Sequence, residues 1–300
     1  ELGRIRILQP RMMELDGSIT PITPAEARLR NVSYAAPLQL EANVVEDGKT
    51  LENRFIHIGD IPIMVKSDAC ILRNFSEQKL IDHAEDPSDP GGYFIINGSE
   101  RVIVGLEDLS YNKIIVDAEK VGGKKVLKAK VYSSIVGYRA KMELVLKEDG
   151  IIVTRIPGSP VDIPVVTLMR ALGLESEKDI AGAVSLVDEI QNELEGSFEK
   201  TDVVTAKDAI VYISKRIAPG MLEEFQIKRA ETLLDWGLLP HLGKQPDNRK
   251  EKTQFLGEAA CKLLELKLGW IQPDDKDHYG NKVVKFAGQM LADLFRTAFR

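Results

Sequence analysis

Three carboxylates and an imidazole stand within five residues at Asp274-Asp275-Lys276-Asp277-His278. Donors of these types hold Mg²⁺ or Zn²⁺ when they converge on one point. A contiguous run instead points neighbouring side chains apart, and acids ahead of a helix suit its positive end. We therefore read it as a solvated approach to the last helix, with a metal-dependent phosphotransferase as the competing reading. A second cluster is basic. Lys124, Lys125, Lys128 and Lys130, with Arg139 beyond them, are residues of the type that meets phosphates; on a hairpin they equally make a solvated face. The sequence holds no nucleophile elbow, no P-loop and no dinucleotide fingerprint, since Gly91-Gly92 lacks the remaining glycines and the following helix. Cys70 and Cys261 have no recognisable base nearby in sequence. A chain of 300 residues without a complete catalytic set reads as a binding or assembly module.

The elements that must position these residues follow from periodicity. Residues 1–112 read as strands and turns, with Gly17 to Ala27, broken by Pro21 and Pro24, rich in turns. Arg28 to Leu40 and Arg54 to Val65 alternate as strands, Pro62 marks a bend or an edge, and residues 46–49 make a polar turn. Ser76 is placed to cap a short helix running to Glu85. Asn97-Gly98 between two apolar runs predicts a tight hairpin over Tyr93 to Val104. Strands follow over 113–116, 125–132, 138–146 and 151–156, with turns at Gly122-Gly123 and Asp149-Gly150. From Val161 the period becomes helical. Asp162 is the expected cap of a helix that stops at Gly173, and further helices fit 179–195, 206–217, 221–237 and 253–268. Gly243 to Lys252 is polar and expected to be an exposed loop. A last helix, Asn281 to Arg300 with Asn281 as cap, carries an apolar stripe through Val283, Phe286, Ala287, Met290 and Leu294. Its polar stripe runs through Lys282, Lys285, Gln289, Asp293, Arg296 and Arg300. The fold class is α+β, β-rich first and largely helical over 157–273.

With 44% apolar and 29% charged residues the chain can bury a sizeable core, which excludes disorder and coiled coil. No apolar run reaches the ~18 residues of a membrane helix, and no basic-plus-apolar leader is present. Two distant cysteines argue against a disulfide framework and a zinc ribbon, and suit a reducing, intracellular compartment. The net charge of −6 hides a segregation: residues 113–160 carry 10 positives and 5 negatives, while 1–112 carry 11 and 18 and 161–273 carry 14 and 19. Screening leaves local fields in charge, so the basic block can face phosphates while the rest stays acidic. The chain begins at Glu1 and ends within a helical pattern, and is expected to be a piece of a longer polypeptide.

Several stretches together resemble the second-largest subunit of multisubunit DNA-dependent RNA polymerase, of archaeal or eukaryotic type. They are Glu26-Ala27-Arg28-Leu29-Arg30-Asn31, Ile61-Pro62-Ile63-Met64-Val65-Lys66-Ser67, and Gly91-Gly92-Tyr93-Phe94-Ile95-Ile96-Asn97-Gly98-Ser99-Glu100-Arg101-Val102. Further along come Asp162-Ile163-Pro164 with Arg170-Ala171-Leu172-Gly173, Leu239-Pro240-His241, and Asp274 to Lys282 with Ala287-Gly288. The resemblance implies that residues 1–112 and 274–300 form a β-rich protrusion domain and that 113–273 are an inserted α+β lobe domain with a helical second half. It implies one wall of the cleft that holds template and non-template DNA and the RNA–DNA hybrid. The expected partners are the largest subunit, the other polymerase subunits and transcription factors, with no membrane, in an archaeal cytoplasm or a eukaryotic nucleus. Catalysis in this family is metal-assisted nucleotidyl transfer. Its Mg²⁺ is held chiefly by aspartates of the largest subunit, so this stretch is expected to hold no cofactor and to be inactive alone. Asp277 and Lys282 resemble positions close to single-stranded non-template DNA; of the family's two consecutive cations the second is replaced here by Val283. Lys124, Lys125, Lys128, Lys130 and Arg139 are then expected to add phosphate attraction in the lobe. A docking platform for transcription factors, with little nucleic-acid contact, is the alternative.

Overall fold

The computed structural model of the chain describes residues 2–46, 49–199 and 203–299. The centre of the polar turn expected at 46–49, the side chain of Lys124 and Arg300 lie outside the described residues. The chain forms two compact units, Glu1–Gly105 and Leu106–Arg300. Strands and helices occur in both, an α+β fold as expected, and no described helix is long and apolar enough to cross a membrane.

In the first unit β1 (Leu2–Ile7) precedes a hairpin of β2 (Arg11–Met13) and β3 (Ile19–Pro21), then helix α1 (Pro24–Leu29) and the long strands β4 (Ala35–Glu46) and β5 (Lys49–Pro62). Helix α2 (Glu77–Asp82) and the hairpin of β6 (Phe94–Ile96) and β7 (Ser99–Arg101) complete it. The three long strands form an antiparallel sheet in the order β1-β4-β5, so Pro62 ends an edge strand. Asn97 and Gly98 both take positive φ, as the tight hairpin requires. A Cβ at Gly98 would lie 2.7 Å from Asn31 Cα, so the turn is seated directly on the end of α1. Ser76 caps α2 through a hydrogen bond from the Lys79 N–H. The region expected to be only turns contains α1. Thr23 caps it, Glu26 returns a hydrogen bond to the Thr23 N–H, and Pro24 takes the first helical position. From this helix Arg28 reaches Glu85 (3.2 Å), Glu100 (2.8 Å) and Tyr93, joining three segments far apart in sequence. The unit's core gathers Ile22, Ala27, Tyr34, Ile63, Val65, Cys70, Leu72, Leu80 and Ile95.

The second unit opens on β8 (Leu106–Leu109) and a meander of β9 (Ile114–Val121), β10 (Lys124–Ile135), β11 (Tyr138–Leu146), β12 (Ile152–Arg155) and β13 (Ile163–Pro164). These last five form one antiparallel sheet in the order β13-β12-β11-β10-β9. Helices α3 (Val165–Ala171), α4 (Glu177–Val184), α5 (Asp188–Glu199), α6 (Ala206–Ile217), α7 (Glu223–Thr232) and α8 (Arg249–Leu268) follow. Ala129, Val131, Met142, Leu144 and Ile152 of the sheet share one core with Leu168, Met169, Ile180, Leu194, Ile213, Leu234, Leu256 and Leu263 of the helices. The unit closes on β14 (Lys282–Lys285), which pairs with β8, and helix α9 (Ala287–Phe299).

The structure departs from the helical expectations at five points. Asn281 is no cap: residues 279–281 make a single tight turn and 282–285 are strand. Val283 and Val284 suit that strand, and β8 offers an edge to it. Asp162 is held by Arg155 (2.9 Å), and α3 starts after Pro164 with no side-chain cap. The helix expected over 179–195 is two, because extended Ser185 interrupts it and accepts the Val187 N–H on its hydroxyl. α7 ends early in a π turn over Leu233–Gly237. The supposed exposed loop at 243–252 includes the start of α8, and Lys252 is 0% exposed.

Lys252 donates to the carbonyls of Leu234 (3.0 Å) and Asp235 (2.6 Å). Burial pushes its ammonium down to about 8, against the pull of Asp235. The folded-state value lies below the ordinary 10.5, so the unfolded chain holds more protons between pH 8 and 10.5, and stability rises across that window. Denaturant titrations of the chain and of Lys252→Met from pH 7 to 10.5 should show the wild type gaining up to about 3 kcal/mol on the variant. Gly257 gives a second test. A Cβ there would lie 2.1 Å from the Ala183 carbonyl oxygen, so α4 and α8 meet backbone to backbone. Gly257→Ala should lower the denaturation midpoint by an amount equivalent to about 1–3 kcal/mol, despite alanine's better helix propensity.

Candidate nucleic-acid interface

Strand alternation decides where the lysines of β10 go. Ala129, Val131 and Ser133 are buried on the core side, so Lys128 and Lys130 stand on the outer face. Register then sets their neighbours: Lys128 lies opposite Asp117 and Val126 opposite Glu119, both acids on the same face. Lys128 Nζ sits 2.6 Å from Glu119, while Lys130 bridges Asp117 (3.2 Å) and Glu119. Lys276 adds a further contact to Asp117 at 2.6 Å. The Glu119 carboxyl is drawn down to about 2 by Lys128 and then Lys130. Burial opposes the charge on Lys130, yet its two carboxylates hold the ammonium above the usual lysine range. The pattern continues across the sheet, with Lys141 on Glu143 (2.6 Å) and Arg155 on Asp162.

Lys125 differs. It is exposed, lies opposite the like-charged Lys120, and has no ion-pair partner among the described residues. With Lys128, Lys147, Arg155 and Lys267 it lines a depression of about 490 Å³ that includes one carboxylate, Glu148. Lys147 and Lys267 are 120 positions apart, so only the fold reveals this concentration of cations.

Arg139 belongs to another cluster. Its guanidinium lies 4.1 Å from the Tyr111 ring centre and 2.8 Å from Asp108. Lys285 reaches the same carboxylate at 3.1 Å. Burial opposes ionisation of Asp108, but Lys285, Tyr111, the Leu109 N–H and Arg139 together hold it down at about 2. Tyr111, Arg139 and Lys285 line a groove of about 510 Å³ with Tyr138 and Arg296. The β-hairpin register places Arg139 opposite Ser134, at the far end of β10 from Lys125.

Lys282 and Asp277 meet each other at 3.3 Å, and Lys282 also contacts Glu107. The rest of the acidic run diverges. Asp274 accepts the Val116 N–H (2.8 Å), Asp275 accepts the Asp277 N–H (2.8 Å), and His278 accepts the Gly280 N–H (3.0 Å) on Nδ1. The Asp274 contact, with its own N–H on the Val116 carbonyl (2.9 Å), fastens the returning chain to β9, while the other two close turns within the run. Asn281, expected as a helix cap, is buried there, accepting from Lys113 (2.6 Å) and donating to the Asp275 carbonyl.

The structure thus brings Lys128 and Lys130 together, sets Lys125 in a neighbouring depression, places Arg139 at the other end of β10, and ties Lys282 to Asp277 and Glu107. Sequence reading missed Lys147, Arg155, Lys267 and Tyr111. The alternation of β11 carried one residue past its end flags Lys147 and the exposed end of β12 flags Arg155, whereas nothing local points to Lys267.

Comparison with known proteins agrees with this chain from end to end. The model of the family described as RNA polymerase beta subunit matches residues 1–300. The chain is 46% identical to the DNA-directed RNA polymerase subunit Rpo2 of Saccharolobus shibatae, covering 100% of this chain and 27% of that protein. It is 42% identical to subunit Rpo2N of Methanocaldococcus jannaschii, covering 100% of this chain and 61% of that one. With Rpo2N of Halobacterium salinarum the identity is 42% over 99% of this chain and 59% of the relative. The chain therefore spans about a quarter of Rpo2 and about three fifths of Rpo2N, and it belongs to the RNA polymerase beta subunit family.

Proposed function

We propose that this chain is the N-terminal part of the second-largest subunit of a DNA-dependent RNA polymerase and forms one wall of the cleft that encloses DNA and the RNA–DNA hybrid. The observation that carries the reading is the family match over all 300 residues. In this reading 1–112 and 274–300 are the protrusion and 113–273 the inserted lobe. Two features support an insertion: β8 and β14 are paired, and the Ser110 N–H bonds to the Asn281 carbonyl at 2.9 Å, so the chain leaves and returns at one place. The chain's role is to bind and position. Nucleotidyl transfer, with its Mg²⁺, is assigned to residues outside this stretch, chiefly of the largest subunit.

The contact is made to phosphates and carries little sequence information. Lys125, which has no ion-pair partner among the described residues and lines the cation-rich depression, is the residue best placed to meet one. Lys128, Lys130, Arg139 and Lys282 meet phosphate by exchanging a carboxylate for it; Asp277 serves as the holder of Lys282, and Lys124 extends the same strand. Such exchange gives weak, salt-labile binding, at or below the strength of non-specific contacts of roughly 10⁻⁴–10⁻⁶ M. A docking platform for transcription factors is the second reading, favoured by the pairing of Lys128 and Lys130 to acids.

Two measurements test this. Anisotropy of labelled dT30 with the isolated chain should show weak binding that strengthens in Asp117→Asn/Glu119→Gln, with a salt slope steeper by about 1.4 if both lysines are released to phosphates. A steep slope that survives Gln substitution of Lys124, Lys125, Lys128, Lys130 and Arg139 removes these residues from the interface. In polymerase assembled with the complete subunit, Lys124→Glu/Lys125→Glu should slow elongation on a preformed DNA–RNA scaffold. Unchanged elongation with impaired factor recruitment would select the docking reading instead.

A further inference from the structure

α7 ends in an unusual way. After Thr232 the helix widens into the π turn, in which the Leu238 N–H bonds to the Leu233 carbonyl at 2.8 Å, and Leu239 leaves it in the left-handed region at φ +45°. Within the turn Leu234, Asp235 and Gly237 are buried, while Trp236 is 56% exposed. The groups that hold it are charged. Lys252 caps the Leu234 and Asp235 carbonyls, and Arg249 grips the Asp235 carboxylate with two bonds of 2.7 and 2.8 Å. Burying such groups is costly unless they are paired and hydrogen-bonded, whereas a glycine ends a helix without them. π turns recur at functional sites because they re-aim side chains. Here the side chain sent outward is a tryptophan.

Trp236 borders an open groove of about 550 Å³. Val136, Tyr138, Pro157, Ile217 and Leu233 give it apolar walls. Lys244 stands 4.6 Å from the centre of the Trp236 ring, and Arg229 lies on the lining. No Asp or Glu lines the groove, and among the described residues neither cation has an ion-pair partner. This stands out in a chain with 46 acids against 40 bases, most of whose clustered cations are paired.

We propose that this groove docks an acidic peptide segment of a partner protein. A large aliphatic or aromatic side chain of the segment packs on Trp236 and Leu233, and flanking carboxylates meet Arg229 and Lys244. The complementarity is of charge and of shape: aliphatic walls receive a side chain, and two cations flanking an aromatic anchor suit short acidic flanks. A nucleic acid strand would ask for a continuous row of cations. The inference stands on the groove alone, so its failure leaves the cleft-wall reading untouched.

The test is fluorescence anisotropy with the 300-residue chain. The probe is a labelled 14-residue peptide with a central Phe-Leu pair between Asp and Glu residues; the controls are the same peptide with Lys at every acidic position, and unlabelled dT12 as competitor. The acidic peptide should bind saturably, with the Lys version at least about tenfold weaker. Trp236→Ala should weaken binding about tenfold, Arg229→Glu/Lys244→Glu by more, and Lys178→Glu on α4 by less than about twofold. If Trp236→Ala lowers the melting temperature, the double charge reversal, confined to the surface, decides. No saturable binding up to about 1 mM, equal binding of both peptides, unchanged affinity in the charge-reversed chain, or displacement by dT12 would each overturn the proposal.

Discussion

The pairing of β9 with β10 sets what the candidate interface can be. Because Lys128 falls opposite Asp117 and Val126 opposite Glu119, two lysines that look free in the sequence share a face with two acids. Their ion pairs are between partly buried groups, which screens them from salt better than an open surface would. A phosphate approaching this face competes with a carboxylate already in place. The +5 of residues 113–160 is therefore a reservoir of charge rather than a standing field; in the depression Lys125 and Lys147 are exposed without an ion-pair partner among the described residues, whereas Lys128, Arg155 and Lys267 are held by Glu119, Asp162 and Glu193.

The helical half rests on α8. Its 20 residues, about 30 Å long, pass through the core, with Leu256, Ala259, Ala260, Leu263 and Leu264 buried. Two of its positions admit little change: Gly257, pressed on the α4 backbone, and Lys252, whose ammonium caps the end of α7. His241, beside this charge, is pushed below the ordinary imidazole range by burial and then by Lys252, and its Nδ1 meets Ser133 Oγ at 2.7 Å. The π turn that presents the exposed tryptophan is thus held from inside the core by Lys252.

Alternation and turn chemistry made much of the fold legible. Strands β9 to β12 of the second unit, the Asn97-Gly98 hairpin, the Ser76 cap and helix 206–217 follow from local rules. The failures have identifiable causes. α1 was hidden by two prolines, although Thr23-Pro24 with Glu26 carries a capping box and a first-turn proline. The start of the last helix was misplaced because Val283, Phe286 and Ala287 fit a helical stripe, while the competing partner strand is remote in sequence: Lys282 pairs with Leu109 of β8, 173 positions earlier. Lys252 was read as solvated because a lysine among polar residues normally is. Its burial rests on its bonds to the Leu234 and Asp235 carbonyls, left without helical partners at the end of α7. At the site the residue types were visible, but their ion-pair partners were set by register and by long-range return of the chain.

These facts bear on why such a surface would be built with its cations occupied. A wall that must let a polymer slide past cannot hold it by deep, fixed contacts. A lysine poised between a carboxylate and a phosphate changes little in energy when the phosphate moves on, because one anion replaces another. A lysine without a partner would hold its phosphate more firmly. On the reading proposed for this chain, the ladder on β9–β11 suits passage and the unpaired Lys125 suits a single point of register. The Trp236 groove follows the opposite logic. Its cations have no ion-pair partner among the described residues and its walls are apolar, so a ligand there gains both charge pairing and burial at once. The first surface is suited to transient contact and the second to residence, and the difference lies in whether the fold has already supplied the counter-charge.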